Sequence, residues 1–311
     1  MSQGFEGRDI ISIHDFSRKE IEHILDVSKK MIPIAKGEAQ DFSLKGKILS
    51  PIFFEPSTRT RLSFETAMNR LGGSVVGFSD PEITSLKKGE TLADTIRMVE
   101  SYSDVVVLRH PMEGAAKLAA DFTEKPVINA GDGAGQHPTQ TMLDLFTIWM
   151  EKGAIDEKNV VLVGDLKYGR TVHSLACALA KFGANLTFVA PEVLQMPKEI
   201  IDYVQEQGVS YSQSDNLEKA IESADVLYVT RIQGERFPDP AEYQKVVGTY
   251  RVDNELLKGA GKDIIVMHPL PRVDEIHPDV DGTPHAVYFK QAFNGVPVRM
   301  ALLALILGVV K

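Results

Sequence analysis

Residues 53–61 read Phe-Phe-Glu-Pro-Ser-Thr-Arg-Thr-Arg. Before them, Gly46-Lys47-Ile48-Leu49-Ser50-Pro51-Ile52 runs into Phe53-Phe54 as a short apolar stretch after a glycine, the pattern of a buried strand. After them, Leu62, Phe64, Ala67, Met68 and Leu71 recur at helical spacing until Gly72-Gly73 closes the run. Ser57 to Thr60 therefore stand where a strand turns into a helix. At such a point the first backbone N–H groups lack intrahelical partners and the helix dipole is positive. The hydroxyls of Ser57, Thr58 and Thr60, with the guanidinium groups of Arg59 and Arg61, make a phosphate or carboxylate site there. A plain N-cap serine beside a solvated arginine face would account for one hydroxyl, but not for two arginines so close together.

Working outward, Ser17 and Glu20 have the spacing of a capping box that opens an earlier helix. Val75–Phe78 reads as a second strand, followed by a polar loop, 79–90, that carries Lys87 and Lys88. Residues 91–101 are amphipathic, and Asp104–Leu108 is a strand ending in Arg109-His110-Pro111. A helix over 113–122 leads to the strand Val127–Asn129. The glycine-rich turn Gly131–Gln140, with His137 and Gln140, then opens a long helix through Trp149. A second alternation has strands at Asn159–Gly164, Leu186–Ala190, Val226–Thr230 and Ile264–Met267. Alternating strands and helices predict parallel sheets with right-handed crossovers, whose ligands bind beyond the carboxyl ends of the strands. Thr58, Arg109 and the segment from Ala130 lie at such ends in the first half. Arg170, Arg231, Gln233 and His268–Arg272 do so in the second. The expected fold class is α/β with two domains, each a parallel sheet flanked by helices. The expected domains are residues 1–149 and 150–289, with a last helix (from Val296, within a tail of about 290–311) returning to the first. Basic residues on matching rims point to a ligand cleft between the two halves.

The bulk composition narrows the function. Hydrophobic residues make up 43% and charged residues 25% of the 311, ordinary for a soluble globular protein. A net charge of −9 argues against nucleic acid as a partner and makes local basic clusters informative. The single cysteine, Cys177, excludes an internal disulfide, fits a reducing cytoplasm, and lies in an apolar helical run that reads as buried. Residues 1–9 lack an apolar signal region, and the apolar tail Met300–Val310 is too short to span a membrane.

Competing motifs are weaker. Gly164–Thr171 reads G-x-x-x-x-G-R-T, one substitution from a phosphate-binding P-loop, but Arg170 stands where lysine must act as a compact charge and arginine is not its equivalent. No G-x-G-x-x-G, H-E-x-x-H or G-x-S-x-G occurs. His277, Asp279, Asp281 and His285 share a proline- and glycine-rich stretch without helical ligand spacing, which reads as a solvated turn and not as a metal site. Lys87-Lys88 alone reads as a solvated loop. His137 alone could be a satisfied polar residue, but the glycine turn and Gln140 beside it favour a site role.

Ser57-Thr58-Arg59-Thr60-Arg61 after a strand resembles the carbamoyl-phosphate signature of the aspartate/ornithine carbamoyltransferases. Arg109-His110-Pro111, Asn129–Gln140, Gly164–Ser174, Thr230–Arg236 and His268–Arg272 extend the resemblance over nearly the whole chain. It implies transfer of the carbamoyl group of carbamoyl phosphate to the amine of L-aspartate, in pyrimidine synthesis, with no cofactor and no metal. By the same resemblance Ser57, Thr58, Arg59 and Thr60 hold the phosphate, and Arg109, His137 and Thr60 polarise the carbamoyl oxygen. Gln140 and the backbone of Leu270 and Pro271 take the rest of the carbamoyl group, with a cis bond before Pro271. Arg170, Thr171, Arg231, Gln233 and Lys88 bind aspartate. Glu55 pairs with Arg170 or Arg236 on domain closure. The alternative amino acid is ornithine, but the family's ornithine-using members carry His-Cys-Leu-Pro where this chain has His268-Pro269-Leu270-Pro271, and Arg231 would repel an ammonium side chain. A non-catalytic anion-binding subunit is the rival of another class. It is disfavoured by the intact set of Arg59, Arg109, His137 and Arg231. The loop Thr84–Glu90, which includes Ser85, is a residue shorter than the Ser-Leu-Gly-Lys-Lys-Gly-Glu form of some members. The resemblance further implies a homotrimer whose active sites lie at subunit interfaces, with Lys88 entering the neighbour's site. Many members also pair with zinc-containing regulatory chains in an allosteric holoenzyme.

Overall fold

In the computed structural model, which describes residues 4–79, 88–232, 234, 237 and 239–310, the apolar runs form two wholly parallel sheets flanked by helices. The chain divides into two compact units, Met1–Phe146 with Phe293–Lys311, and Thr147–Ala292. In the first unit, α1 (Arg18–Lys36) opens with the expected capping box. Ser17 Oγ accepts from the Glu20 N–H, and Glu20 accepts from the Ser17 N–H at 2.8 Å. Next come β1 (Ile48–Phe53), α2 (Thr58–Arg70), β2 (Ser74–Val75), α3 (Leu92–Glu100), β3 (Val105–His110), α4 (Ala115–Ala120) and β4 (Val127–Asp132). The sheet order is β2-β1-β3-β4. Strands covered on both faces need apolar side chains throughout, and Val105 to Leu108 are all buried. Ile52, Val106, Leu108 and Val127 form one core with Ile96, Ala116 and Ala119 from α3 and α4.

The second strand is shorter than the expected Val75–Phe78. The sheet holds only Ser74–Val75, and Phe78 rejoins through a single bridge to Ile52. Pro51 is the reason. A regular ladder would need its N–H for the Val76 carbonyl, and proline has none. The Ser50 hydroxyl donates to that carbonyl instead, at 2.7 Å.

α5 (Pro138–Lys152) leads from the first unit into the second. There follow β5 (Asn159–Val163), α6 (Arg170–Lys181), β6 (Asn185–Val189), α7 (Lys198–Glu206), β7 (Tyr211–Ser214), α8 (Leu217–Ile221), β8 (Val226–Val229), α9 (Pro240–Val246), α10 (Asn254–Leu257) and β9 (Ile265–Met267). The sheet order is β7-β6-β5-β8-β9. The sequence reading missed β7, because Tyr-Ser-Gln-Ser has no apolar run; as an edge strand paired only with β6 it needs none. The last helix, α11 (Tyr288–Ile306), begins well before the expected Val296, and Pro297 lies inside it. Among the described residues no helix is long and apolar enough to cross a membrane.

In both sheets the chain reverses its direction of growth beside the first strand, between β1 and β3 and between β5 and β8. Such switch points open crevices at the carboxyl ends of the strands. Register aligns the ends: Phe53 pairs with Arg109, and Val163 with Val229. At the second point Gly164 has φ +118°, and a Cβ there would lie 2.2 Å from the Thr230 carbonyl oxygen. Gly164→Ala is expected to destabilise the protein by about 2–6 kcal/mol, the sum of backbone strain and overpacking at about 1–3 each. Chemical unfolding followed by tryptophan fluorescence and circular dichroism checks this. An unchanged midpoint would contradict the close approach.

Candidate active site

The turn after β1 places a helix N-terminus at the first switch point. Phe54 donates its N–H to the Arg109 carbonyl at 2.8 Å, so the two strand ends leave the sheet together. Ser57 occupies the N-cap position of α2 in an extended conformation, yet its hydroxyl caps no N–H. Thr58 and Arg59 are exposed, whereas Thr60 is buried. Arg59 has no ion-pair partner among the described residues. The turn strips part of its water, which lowers its pKa from the ordinary value, and a guanidinium stays charged in proteins. Uncapped N–H groups, free hydroxyls and one uncommitted cation are what an anion requires. Arg61 departs from the expectation. Its Nε donates to Glu65 at 2.6 Å, one helical turn on, and a second nitrogen donates to Ser79. The turn thus leaves one arginine uncommitted and not two.

Arg109, near the end of β3, joins this turn to the next. Its Nε lies 3.4 Å from Glu55 Oε2, and its Nη1 donates to the Ala130 carbonyl at 3.4 Å. His110 packs against Phe54 with the rings tilted and their centroids 4.7 Å apart, and its Nδ1 accepts from the Met112 N–H. Burial lowers its pKa, against the pull of Glu55, so the neutral ring is favoured.

The segment after β4 is organised by Asp132, which the motif reading did not single out. Its Oδ1 accepts from Asn129 Nδ2 and from the Gln136 N–H, both at 2.9 Å, and its Oδ2 accepts from the Gly114 N–H. The Gly133 N–H donates to the His110 carbonyl, and a Cβ on Gly133 would stand 2.6 Å from the Pro111 carbonyl oxygen. Only glycine lets the two loops close this tightly. The consequence is a fixed platform for His137, buried just ahead of Pro138, and for Gln140 in the first turn of α5. Gln140 Nε2 donates to Asp144 Oδ1 at 2.9 Å. Asp132 carried a sequence signal only in standing at a strand end within a glycine cluster.

At the second switch point Thr230 Oγ1 accepts from the Asp165 N–H and donates to the Val163 carbonyl, tying β8 to the Gly164 turn. Arg170, at the start of α6, is buried, and Thr171 is half-buried beside it. Gly169 precedes them where a Cβ would meet the Asp165 carbonyl oxygen at 2.5 Å. Arg231 lines a cavity of about 310 Å³ with Gly164, Thr230, Tyr243, Arg251 and Asp274. Gln233, Arg236, Ser85 and Lys87 lie outside the described residues. Lys88 is exposed.

The loop after β9 holds a buried relay. His268 Nδ1 accepts from the Leu270 N–H at 2.7 Å, so Nε2 carries the proton and donates to Glu275 at 2.7 Å. Burial is the largest single influence on Glu275 and opposes its charge, but the bond from His268, the backbone N–H donors and the His268 charge together exceed it, and the net pKa is lowered. Leu270 has φ +56°, and the Leu270–Pro271 bond is cis. Arg272 makes a two-pronged pair with Asp281, with one bond at 2.6 Å. His277 caps the short helix at Pro278, and His285 Nδ1 meets the Ile264 carbonyl at 2.9 Å. The four residues weighed as metal ligands thus have local structural partners. Cys177 is buried in α6, and burial pushes its thiol up to about 12.

Two family models match the chain end to end. Residues 8–150 match the aspartate/ornithine carbamoyltransferase carbamoyl-P binding domain, and residues 156–306 match the Asp/Orn binding domain. The chain belongs to the aspartate/ornithine carbamoyltransferase family. Strands β1–β4 fall within the first family span and β5–β9 within the second. The chain is 60% identical over 307 residues to the aspartate carbamoyltransferase catalytic subunit of Methanocella arvoryzae, covering 98% of this chain and 99% of that one. It is 61% identical over 305 residues to that of Thermococcus kodakarensis, at 98% of each. Among solved structures, the catalytic subunit of M. jannaschii aspartate transcarbamoylase superposes with a TM-score of 0.89 at 53% identity, over 95% of this chain and 96% of that one. A Trypanosoma cruzi aspartate transcarbamoylase in complex with N-(phosphonacetyl)-L-aspartic acid gives 0.93 at 42% identity, over 97% of each chain.

Proposed function

We propose that this chain is an aspartate carbamoyltransferase, moving the carbamoyl group of carbamoyl phosphate onto the amine of L-aspartate, in the cytoplasm, for pyrimidine synthesis. Family membership and the relatives at about 60% identity support this. The observation that carries it is the uncapped N-terminus of α2, where Arg59 has no ion-pair partner among the described residues. Carbamoyl phosphate is held there by Ser57, Thr58, Arg59 and Thr60. Thr60, Arg109 and His137 stabilise the charge that develops on the carbamoyl oxygen. Gln140 and the backbone of Leu270 and Pro271 take the remainder of the group. Arg170, Thr171, Arg231, Gln233 and Lys88 hold the aspartate carboxylates. The amine attacks the carbamoyl carbon, a tetrahedral oxyanion forms, the C–O bond to phosphate breaks, and the departing phosphate takes the amine proton. Rate comes from orientation and fixed charge, with no covalent nucleophile. The working assembly is a cyclic trimer in which Lys88 serves the neighbour's site. Co-purification from the native source identifies any regulatory chain.

The deciding assay compares purified protein with aspartate and with ornithine as acceptor. Turnover of ornithine exceeding that of aspartate would overturn the proposal. Arg231→Ala is expected to raise the aspartate KM by roughly ten- to a hundredfold, the usual cost of losing a charged hydrogen-bond partner of about 1.5–3 kcal/mol. Carbamoyl phosphate binding should be unchanged. Unaltered aspartate kinetics would remove Arg231 from the site.

A further inference from the structure

Gln140 has an amide whose two ends look nearly alike, yet its orientation is decided by chemistry. Asp144, one turn further along α5 and fully buried, accepts from Gln140 Nε2 at 2.9 Å. An ionised carboxylate only accepts hydrogen bonds, so the amide nitrogen must face it. Arg299 of α11, itself buried, interacts electrostatically with Asp144. The guanidinium lies over the Phe64 ring, 4.9 Å from its centroid, and Nη2 reaches Thr139 Oγ1 at 3.4 Å. Gly295 leaves the space: a Cβ there would stand 2.3 Å from Arg299 Nη1. Burial pushes the Arg299 pKa down to about 9, and Asp144 partly offsets the loss. The guanidinium is therefore still charged at neutral pH. A buried charge without a counter-charge costs several kcal/mol, which requires the carboxylate form of Asp144.

With its nitrogen taken, Gln140 presents Oε1, which has no partner among the described residues. Oε1 can only accept. It can read an –NH2 group and gains nothing from a methyl group. Built on the function proposed above, we infer that Asp144, buried in the field of Arg299, is a specificity-determining residue that acts through Gln140, locking the amide so that the site prefers carbamoyl phosphate to acetyl phosphate. The two acyl phosphates differ only in –NH2 against –CH3, and both would transfer their acyl group to the aspartate amine with loss of phosphate.

The test is the ratio of kcat/KM for carbamoyl phosphate to that for acetyl phosphate, with aspartate as acceptor. In Asp144→Asn, the positive field of Arg299 favours the new amide oxygen on its side, the new NH2 faces Gln140, and Gln140 Oε1 turns inward. The ratio is expected to fall tenfold or more. In a Gln140→Ala background the ratio is already low, and adding Asp144→Asn should alter it less than twofold. A merely structural Asp144 would shift both backgrounds alike, and that outcome, or an unchanged ratio in the single variant, overturns the inference. Should Asp144→Asn fail to fold, Asp144→Leu with Arg299→Met removes both charges together, a replacement that buried ion pairs commonly tolerate. It frees the amide, and the ratio should again fall; retention of the wild-type ratio overturns the inference. Wild-type protein without carbamoyl transfer would sink the proposed function itself, a separate result from an active wild type with an unchanged ratio.

Discussion

Arg59→Ala is expected to lose about 10²–10³ in kcat, the usual loss when one preorganised charge is taken from a site that stabilises developing anionic charge. The fold should not notice. Arg59 is exposed at the head of α2 and has no ion-pair partner among the described residues, so no packing or pairing depends on it. Its thermal unfolding midpoint should match wild type. Arg61→Ala, two residues on, is the internal control. Arg61 is committed to Glu65 and Ser79. Removing it deletes a helical surface pair worth about 0.3–0.5 kcal/mol and should leave turnover far higher than in Arg59→Ala. Steady-state kinetics on both variants decides the matter. Near-wild-type turnover by folded Arg59→Ala would take Arg59 out of the site.

Lys88→Ala is expected to be nearly inactive as well, and activity should return when it is mixed with Arg59→Ala. Each mutant alone lacks one required cation in every site. If Lys88 acts in the neighbouring subunit, a site in a cyclic trimer works when its own Arg59 and the neighbour's Lys88 are both native. Any mixed trimer of the two mutants contains one such site, so hybrids should recover about one site in three. The mixture is dissociated, reassembled and assayed against each parent treated alike. No recovery in verified hybrids would mean that Lys88 serves its own chain or none.

Much of the candidate site was legible because the signals are short-range. Periodicity over some ten residues marks a strand and then a helix, and the positive end of a helix dipole needs no distant partner. The strand-to-helix turn at 57–60 and the residues placed at strand ends follow from that. Arg61 shows where such reasoning stops. Sequence proximity put it beside Arg59, but the rotation of the helix turned it one turn forward to Glu65. Asp132 was missed for the opposite reason. Its role lies in bonds to Asn129, Gln136 and Gly114, and the last comes from another loop.

The sequence by itself determined the alternation of strands and helices, the class of parallel α/β architecture, the strand-to-helix turn at Ser57–Thr60 and the family. Each is carried by contiguous residues whose physics is local. Only the tertiary structure decided which strand ends meet, that Phe53 and Arg109 lie side by side, that a four-residue polar stretch is an edge strand, and that Pro51 cuts β2 short while Ser50 answers for it. It also brought Arg299 to Thr139 across 160 residues of chain, beside a carboxylate that turns the amide of Gln140. Such contacts depend on how whole elements pack, and no window of sequence records which faces will be pressed together.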